Sequence, residues 1–358
     1  MHPWLVCAVA TGTASAAQVT DMPPELGLYA GLRYGGSSVS GHLEEAGEEV
    51  GGRKVSRHDL DLFAEFAPVR GIAFNLDLAY TPSLSYRYPG ARSMVVEPLT
   101  GSGSYLAGEV GTDTPTVKAS GLDGLWLGVA AAPVSEGYGT SQRANWRIDA
   151  GFRTPSPNRN LWTTRNGNRG PAEGGSAIRL AGAFSTTRGV VSPWMRGGWT
   201  RESPVKVDVV DEAGVTWAKD LPLRPASTFA ADVGVDVVAV EDASTGLRFA
   251  VGLSFGAGYK TWEDVASGVY LPNVLDGGRR IPMTSGDRVF GQAAIDADLH
   301  LNEVIRFDTG LAVDYGLPYR LEHVYEVRTS PDTIELGWTF AVTAVGLFAA
   351  REPEALDP

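Results

Sequence analysis

Between residues 286 and 315, apolar and polar side chains alternate along the chain with a period of two. Such alternation gives a β-strand one apolar face and one polar face. The stretch divides into two long segments around a tight turn at Asn302 and Glu303. Strands of soluble proteins average about five or six residues, whereas tilted strands of about nine to eleven residues cross a membrane. The stretch therefore predicts a hairpin of two membrane-spanning strands.

The same alternation recurs along the chain and predicts twelve strands. Their approximate bounds are 26–34, 58–66, 72–80, 124–132, 143–152, 177–186, 191–200, 228–240, 246–259, 287–301, 304–315 and 334–348. The connections between these strands alternate between long and short. Transmembrane barrels have long extracellular loops and short periplasmic turns, and an even strand count places both ends in the periplasm. The chain is predicted to be all-β, a transmembrane antiparallel up-and-down β-barrel of about 12 strands.

Charged residues are confined to one face of each predicted strand. Between the strand ends the apolar faces carry none, whereas the opposite faces carry Asp and Arg residues throughout. A basic residue on the lipid face of a barrel costs about 2–4 kcal/mol at the bilayer midplane. This cost explains the partition if the apolar faces contact lipid and the polar faces line the lumen.

Aromatic residues lie near the ends of the predicted strands. When the strand directions alternate, most of them fall on the long-loop side, and a few fall on the short-turn side. The residues predicted to lie at the lipid interface are Tyr34, Tyr80, Phe152, Trp199, Tyr259, Tyr315, Trp338 and Phe348. Aromatic girdles of this kind form where amphipathic rings meet the lipid headgroups.

Composition narrows the possible compartments and partners. Residues 1–17 contain a short apolar core followed by small residues, which predicts a secretory signal peptide, with residues 18–358 forming the barrel. Cys7 is the single cysteine and lies inside that peptide, so the mature chain would contain no disulfide. The net charge of −12 excludes nucleic acid as a partner, because phosphate binding needs a basic surface.

Together these features resemble bacterial outer-membrane β-barrel proteins. The resemblance covers the architecture of the whole mature chain and indicates no particular subfamily. It implies a location in the bacterial outer membrane, contact with outer-membrane lipid, and recognition by the barrel-assembly machinery. Such proteins end on a strand with a terminal aromatic residue, and residues 334–348 are similar to that strand, although a polar tail, 349–358, follows here. The alternative is a soluble all-β sandwich or propeller, which would have shorter strands and less one-sided loops.

The sequence contains few candidates for catalysis. H-E-x-x-H and Gly-rich phosphate-loop motifs are missing from it. His300 lies two residues from Asp298 on a polar face, which allows a general base or a hydrogen bond inside the lumen. The serine and histidine that a barrel lipid hydrolase needs near its rim do not come together in the predicted topology. We therefore predict no enzyme activity, catalytic residue, metal site or cofactor.

The predicted lumen is rich in charge. Its acidic candidates are Asp232, Asp236, Asp296, Asp298, Asp308 and Asp314, and its basic candidates are Arg147, Arg179, Arg196, Arg248 and Arg306. Because rings of charge set pore selectivity, these residues predict a narrow, porin-like, slightly acidic constriction that passes small polar or ionic solutes. Alternatively, the charges pair with one another and fill the lumen of a non-conducting structural or surface-interaction barrel. Twelve strands lie between the filled barrels of eight and the open channels of sixteen to eighteen, so strand number leaves both interpretations open.

Overall fold

The computed structural model describes most of the predicted barrel. The described residues are 20–45, 48–87, 93–98, 105–110, 116–135, 142–155, 160–162, 168–169, 175–210, 216–242, 244–265, 275–276, 279–280, 283–322, 327–330 and 333–347. The predicted signal peptide, Phe348 and the polar tail lie outside them. In this part of the chain, no helix is long and apolar enough to cross a membrane.

Twelve antiparallel strands form a closed barrel, which confirms the predicted fold. They are β1 (Gly27–Glu45), β2 (Glu48–Val69), β3 (Ile72–Arg87), β4 (Thr116–Ser135), β5 (Gln142–Arg153), β6 (Ala177–Arg188), β7 (Val191–Glu202), β8 (Ser227–Asp242), β9 (Leu247–Lys260), β10 (Arg288–His300), β11 (Ile305–Gly316) and β12 (Thr333–Leu347). Each strand pairs with the next. β1 also pairs with β12, from Gly27 opposite Leu347 to Ser40 opposite Ile334. This last pairing leaves the sheet without a free edge.

The apolar faces of the strands point outward. Leu311 is 61% exposed, Leu336 is 58% exposed and Ile295 is 51% exposed, whereas the inward Asp236 is fully buried. A soluble sandwich or propeller would bury its apolar faces and expose its acids. The outward apolar surface is the lipid-facing band of a transmembrane barrel, and this excludes the soluble alternative.

The predicted interface aromatics among the described residues lie on the long-loop side of the lipid-facing band. Tyr34 packs edge-on against Trp338 at 5.3 Å between ring centroids. Trp199 stacks on Phe229 at 6.3 Å, and Phe229 lies 6.5 Å from Tyr259. The other described members of the predicted set are exposed on the outer surface: Tyr80, Phe152 and Tyr315. Rings from neighbouring strands therefore form a belt around this end of the barrel.

Several strands extend beyond their predicted bounds on the long-loop side. The alternation ended β1 at residue 34 and began β2 at residue 58, but the two strands continue as a hairpin to Glu45 and Glu48. Beyond the belt both faces of a strand can contact water, so the period-two signal disappears while backbone pairing continues. The loop after β7 contains a further hairpin of Val205–Val210 and Thr216–Leu223.

Glycines make room for large side chains inside the barrel. A Cβ added to Gly234 would lie 2.4 Å from the Trp194 ring, and one added to Gly258 would lie 2.0 Å from the Phe290 ring. Glycine in a strand often marks a place where another group approaches the backbone closely. Both aromatic rings therefore lie against the neighbouring strand instead of crossing the lumen.

Candidate functional site

One side of the lumen is lined by carboxylates. The six predicted aspartates all lie on β8, β10 and β11, on the inward-facing positions of these strands. Glu335 of β12, which the predicted set did not include, extends the same surface. We call these seven residues the acidic wall. Six of its members are at most 6% exposed: Asp232, Asp236, Asp296, Asp298, Asp314 and Glu335.

Carboxylates of the acidic wall face one another across the strands. Asp298 lies directly opposite Asp308, and Asp314 lies directly opposite Glu335. Like charges in such positions are destabilising. Asp298 is partly compensated, because Arg248 Nη1 lies 3.4 Å and His300 Nε2 lies 3.1 Å from its Oδ2 atom. The acidic wall still carries more negative charge than the basic side chains on its own strands balance.

Three of the five predicted arginines, Arg147, Arg179 and Arg196, lie on β5, β6 and β7, facing the acidic wall. Arg196 Nε donates to Asp232 Oδ2 at 2.9 Å. Arg147 Nη2 instead lies 3.0 Å from Glu65 and 2.8 Å from Asp149, neither of which was a predicted site residue. Arg179 lies over the Trp126 ring at 4.9 Å. The predicted acids and arginines therefore share the lumen, but only some of them pair with each other.

A cavity of about 370 Å³ lies between the two sides. Small residues of β6 and β7, including Ala181, Ala183 and Gly198, leave this space, while charged residues such as Asp232 and Arg179 line it. At roughly 30 Å³ for each water molecule, it holds on the order of ten waters. The lumen thus contains a chamber of the size of a small solute, lined by charged and small apolar side chains.

Residues 20–26, here called the N-terminal latch, cross the short-turn end of this chamber. Arg306 Nη1 donates to Asp21 Oδ2 at 2.6 Å, and Arg147 Nη1 donates to the Asp21 carbonyl at 2.5 Å. Thr20 Oγ1 lies 2.6 Å from Ser185 Oγ. These three partners belong to β11, β5 and β6. The latch is therefore held at points on different sides of the barrel, across its turn-side mouth.

The latch also has an apolar anchor. Met22 packs against Ala67, Ala73 and Ala130, all of which are fully buried on β2, β3 and β4. Tyr29 of β1 donates to Asp21 Oδ2 and to the Met22 carbonyl, at 3.2 Å in each case. The sequence did not predict this element, because a short segment before the first strand carries no periodic signal.

At the opposite end, a buried ion cluster ties a loop to the barrel rim. Glu263 begins the short strand Glu263–Val265, which follows β9 beyond the aromatic belt. Lys260 Nζ lies 2.9 Å from its carboxylate, and Arg288 also pairs with it. Burial alone would raise the pKa of Glu263, but Lys260 and Arg288 outweigh this effect and hold the pKa at about 2.

Replacing Glu263 with glutamine should release this loop from the rim. Removing one partner of a buried ion pair typically costs about 3–5 kcal/mol, so proteases should cut the variant's loop at pH 7 while the barrel stays intact. Wild-type protein should lose the same tie only as the pH falls from about 4 towards 2, because the folded-state pKa lies below the unfolded value. The exposed Glu241→Gln variant is the control, and equal cleavage of both variants would contradict the assignment.

No protein-family model and no curated protein matches the sequence. Among solved structures, the chain is similar to an outer membrane channel from Pseudomonas putida, at 12% identity and a TM-score of 0.44, over 90% of this chain and 97% of that one. It is also similar to the translocator domain of the autotransporter NalP from Neisseria meningitidis, at 8% identity and a TM-score of 0.40, over 90% of both chains. A FadL homologue from Pseudomonas aeruginosa gives 12% identity and a TM-score of 0.36, over 90% of both chains. By its closed barrel, outward apolar band and aromatic belt, the chain is a transmembrane β-barrel.

Proposed function

We propose that the barrel is a narrow channel for small polar or ionic solutes, closed at its turn-side mouth by the N-terminal latch. The chamber of about 370 Å³ is the observation that carries the proposal. Protein interiors are normally packed to the density of organic crystals. Small residues such as Ala181 and Gly198 instead leave a charged space, which suits a hydrated solute.

The latch can leave the mouth without breaking the barrel. It contributes no strand to the sheet, and it is held by polar contacts of Thr20, Asp21, Met22 and Leu26 plus the packing of Met22. A typical hydrogen bond contributes about 0.5–1.5 kcal/mol, and one to a charged group about 1.5–3 kcal/mol. A displacement costing a few kcal/mol is compatible with a closed state that opens intermittently.

The acidic wall favours cations among the permeating solutes. Seven carboxylates line β8 to β12, whereas Arg147 and Arg196 are already paired with acids. Rings of acidic side chains give cation selectivity in pores. The proposed solutes are therefore small cations and polar molecules, and the proposed role is transport and not catalysis. The contacts of Asp298 favour transport over catalysis, because its Oδ2 atom is already bound by Arg248 and His300 in the lumen wall.

Conductance in a planar lipid bilayer tests the proposal. Purified, refolded protein should show brief openings, and its reversal potential in a salt gradient should indicate a preference for cations. Asp296→Asn should weaken that preference, because it removes one charge from the acidic wall. Insertion without any openings, also after the Asp21→Ala change that loosens the latch, would overturn the channel proposal.

The second candidate is a non-conducting structural or surface-interaction barrel. The ion network that joins Arg147 to Glu65 and Asp149, and Arg306 to Asp21, favours it, because this network spans the turn-side mouth. In both cases we propose that outer-membrane lipid surrounds the barrel and that the barrel-assembly machinery recognises its last strand.

A further inference from the structure

A second, smaller cavity lies in the long-loop half of the lumen, between β1, β2, β11 and β12. Its volume is about 60 Å³, room for about two water molecules at roughly 30 Å³ each. Four carboxylic acids line it: Asp59, Asp61, Asp314 and Glu335. Arg33 and Ser37 also contribute to its lining. The cavity is therefore a small space with a strongly acidic surface.

Two of the four acids have nearby arginines. Arg57 Nε lies 2.5 Å from Asp59 Oδ2, and Arg33 Nη1 lies 3.7 Å from Asp61 Oδ2. The other two acids, Asp314 and Glu335, occupy opposite positions on β11 and β12.

The Asp314 side chain lacks the partner that a buried carboxylate needs. It is only 4% exposed, and its Oδ1 atom accepts no hydrogen bond from the described residues. Burying a charge without a compensating partner is costly, and a second acid directly opposite increases that cost. A positively charged ligand in the cavity would relieve both effects.

We propose that this cavity binds a divalent cation of the oxygen-preferring class, Mg²⁺ or Ca²⁺, between Asp314 and Glu335. Two ionised carboxylates match the charge of one such cation, and carboxylate oxygens are its preferred ligands. The described residues contain no group of three or more Asp, Glu, His or Cys side chains that could hold a metal ion, so protein side chains would supply only part of the coordination. The cation therefore keeps part of its water shell, as Mg²⁺ usually does when one or two carboxylates hold it.

A bound cation would join the strands that close the barrel. Asp314 and Glu335 lie on β11 and β12, and the cavity continues onto β1 and β2 through Ser37 and Asp61. The site would thus strengthen the seam between the first and the last strand on the long-loop side. This role does not depend on whether the lumen conducts.

Terbium luminescence tests the site, with Tb³⁺ as the probe for Ca²⁺. Trp338, whose ring lies in the aromatic belt, also borders the cavity and can sensitise the emission of a bound ion. Refolded full-length protein, freed of metal with EDTA, should show saturable emission that CaCl₂ and MgCl₂ displace. Asp314→Asn and Glu335→Gln should each weaken binding about ten- to hundredfold, because each removes a charged ligand.

Controls separate this site from general binding to acidic surfaces. Glu241→Gln, at an exposed position outside the lumen, should leave Tb³⁺ affinity unchanged. Trp338→Phe should reduce the emission while calorimetric titration with CaCl₂ still gives wild-type affinity. Folding of each variant is checked by its heat-dependent gel migration. If calorimetry with CaCl₂ and MgCl₂ shows no saturable binding, or if folded Asp314→Asn and Glu335→Gln bind like wild type, the acids share a proton instead and the proposal is overturned.

Discussion

A disulfide between positions 20 and 185 is expected to abolish conductance under oxidising conditions. Thr20 Oγ1 and Ser185 Oγ lie 2.6 Å apart, on the latch and on β6, so cysteines placed there are close enough to form a disulfide. The double variant Thr20→Cys/Ser185→Cys, made with Cys7 replaced by serine, should show no openings when oxidised. A reducing agent should restore openings in the same bilayer, because only the cross-link prevents the latch from moving.

The converse change should open the channel. Asp21→Ala removes the carboxylate that accepts hydrogen bonds from Arg306 and Tyr29. Losing a charged hydrogen bond worth about 1.5–3 kcal/mol should raise the open population about ten- to hundredfold.

Each single cysteine variant serves as a control for the disulfide experiment and should conduct equally with and without reductant. A double variant whose openings are insensitive to oxidation would show that the latch does not gate the lumen.

The direction in which each strand faces could be predicted from sequence because lipid imposes a large cost on misplaced charge. Leu311 and Asp308 belong to one strand, and the alternation alone assigned them to lipid and lumen. Outside the membrane that constraint vanishes, and the prediction failed there. The polar hairpin that extends β1 and β2 to Glu45 and Glu48 carries no alternation, since both of its faces can meet water.

The partners inside the lumen were less predictable, for a geometric reason. Arg196 and Asp232 are opposite each other on neighbouring strands, so the strand register brings them together. Arg147 of β5 pairs with Glu65 of β2, although these two strands are not neighbours in the sheet. Asp21 and Arg306 are 285 residues apart. Contacts of the second kind depend on how the closed barrel curves and on where the latch enters it, and neither property leaves a periodic signal.

Adjacent residues of β8 provide the sharpest test of the assigned register. Val235 lies opposite Pro193 and Leu253 on the lipid-facing side, and Asp236 is fully buried on the lumen side. The two residues have nearly the same depth in the membrane, between the aromatic Phe229 and the turn after Asp242. Substitutions at these two positions therefore differ mainly in the face of the strand that they affect.

Val235→Arg should block stable insertion, whereas Asp236→Asn should not. An arginine on the lipid face near the midplane costs about 2–4 kcal/mol, which lowers the folded-to-unfolded ratio in lipid vesicles about 30- to 1,000-fold. Asparagine keeps the volume of Asp236 and an oxygen that can accept the hydrogen bond from Trp194 Nε1. Leu311→Arg, on a side chain that is 61% exposed, should fail in the same way as Val235→Arg. Heat-dependent gel migration after refolding measures the folded fraction. Equal tolerance of the substitutions at positions 235 and 236 would contradict the register, because only a strand with the opposite preferred face, or with none, would accept both substitutions.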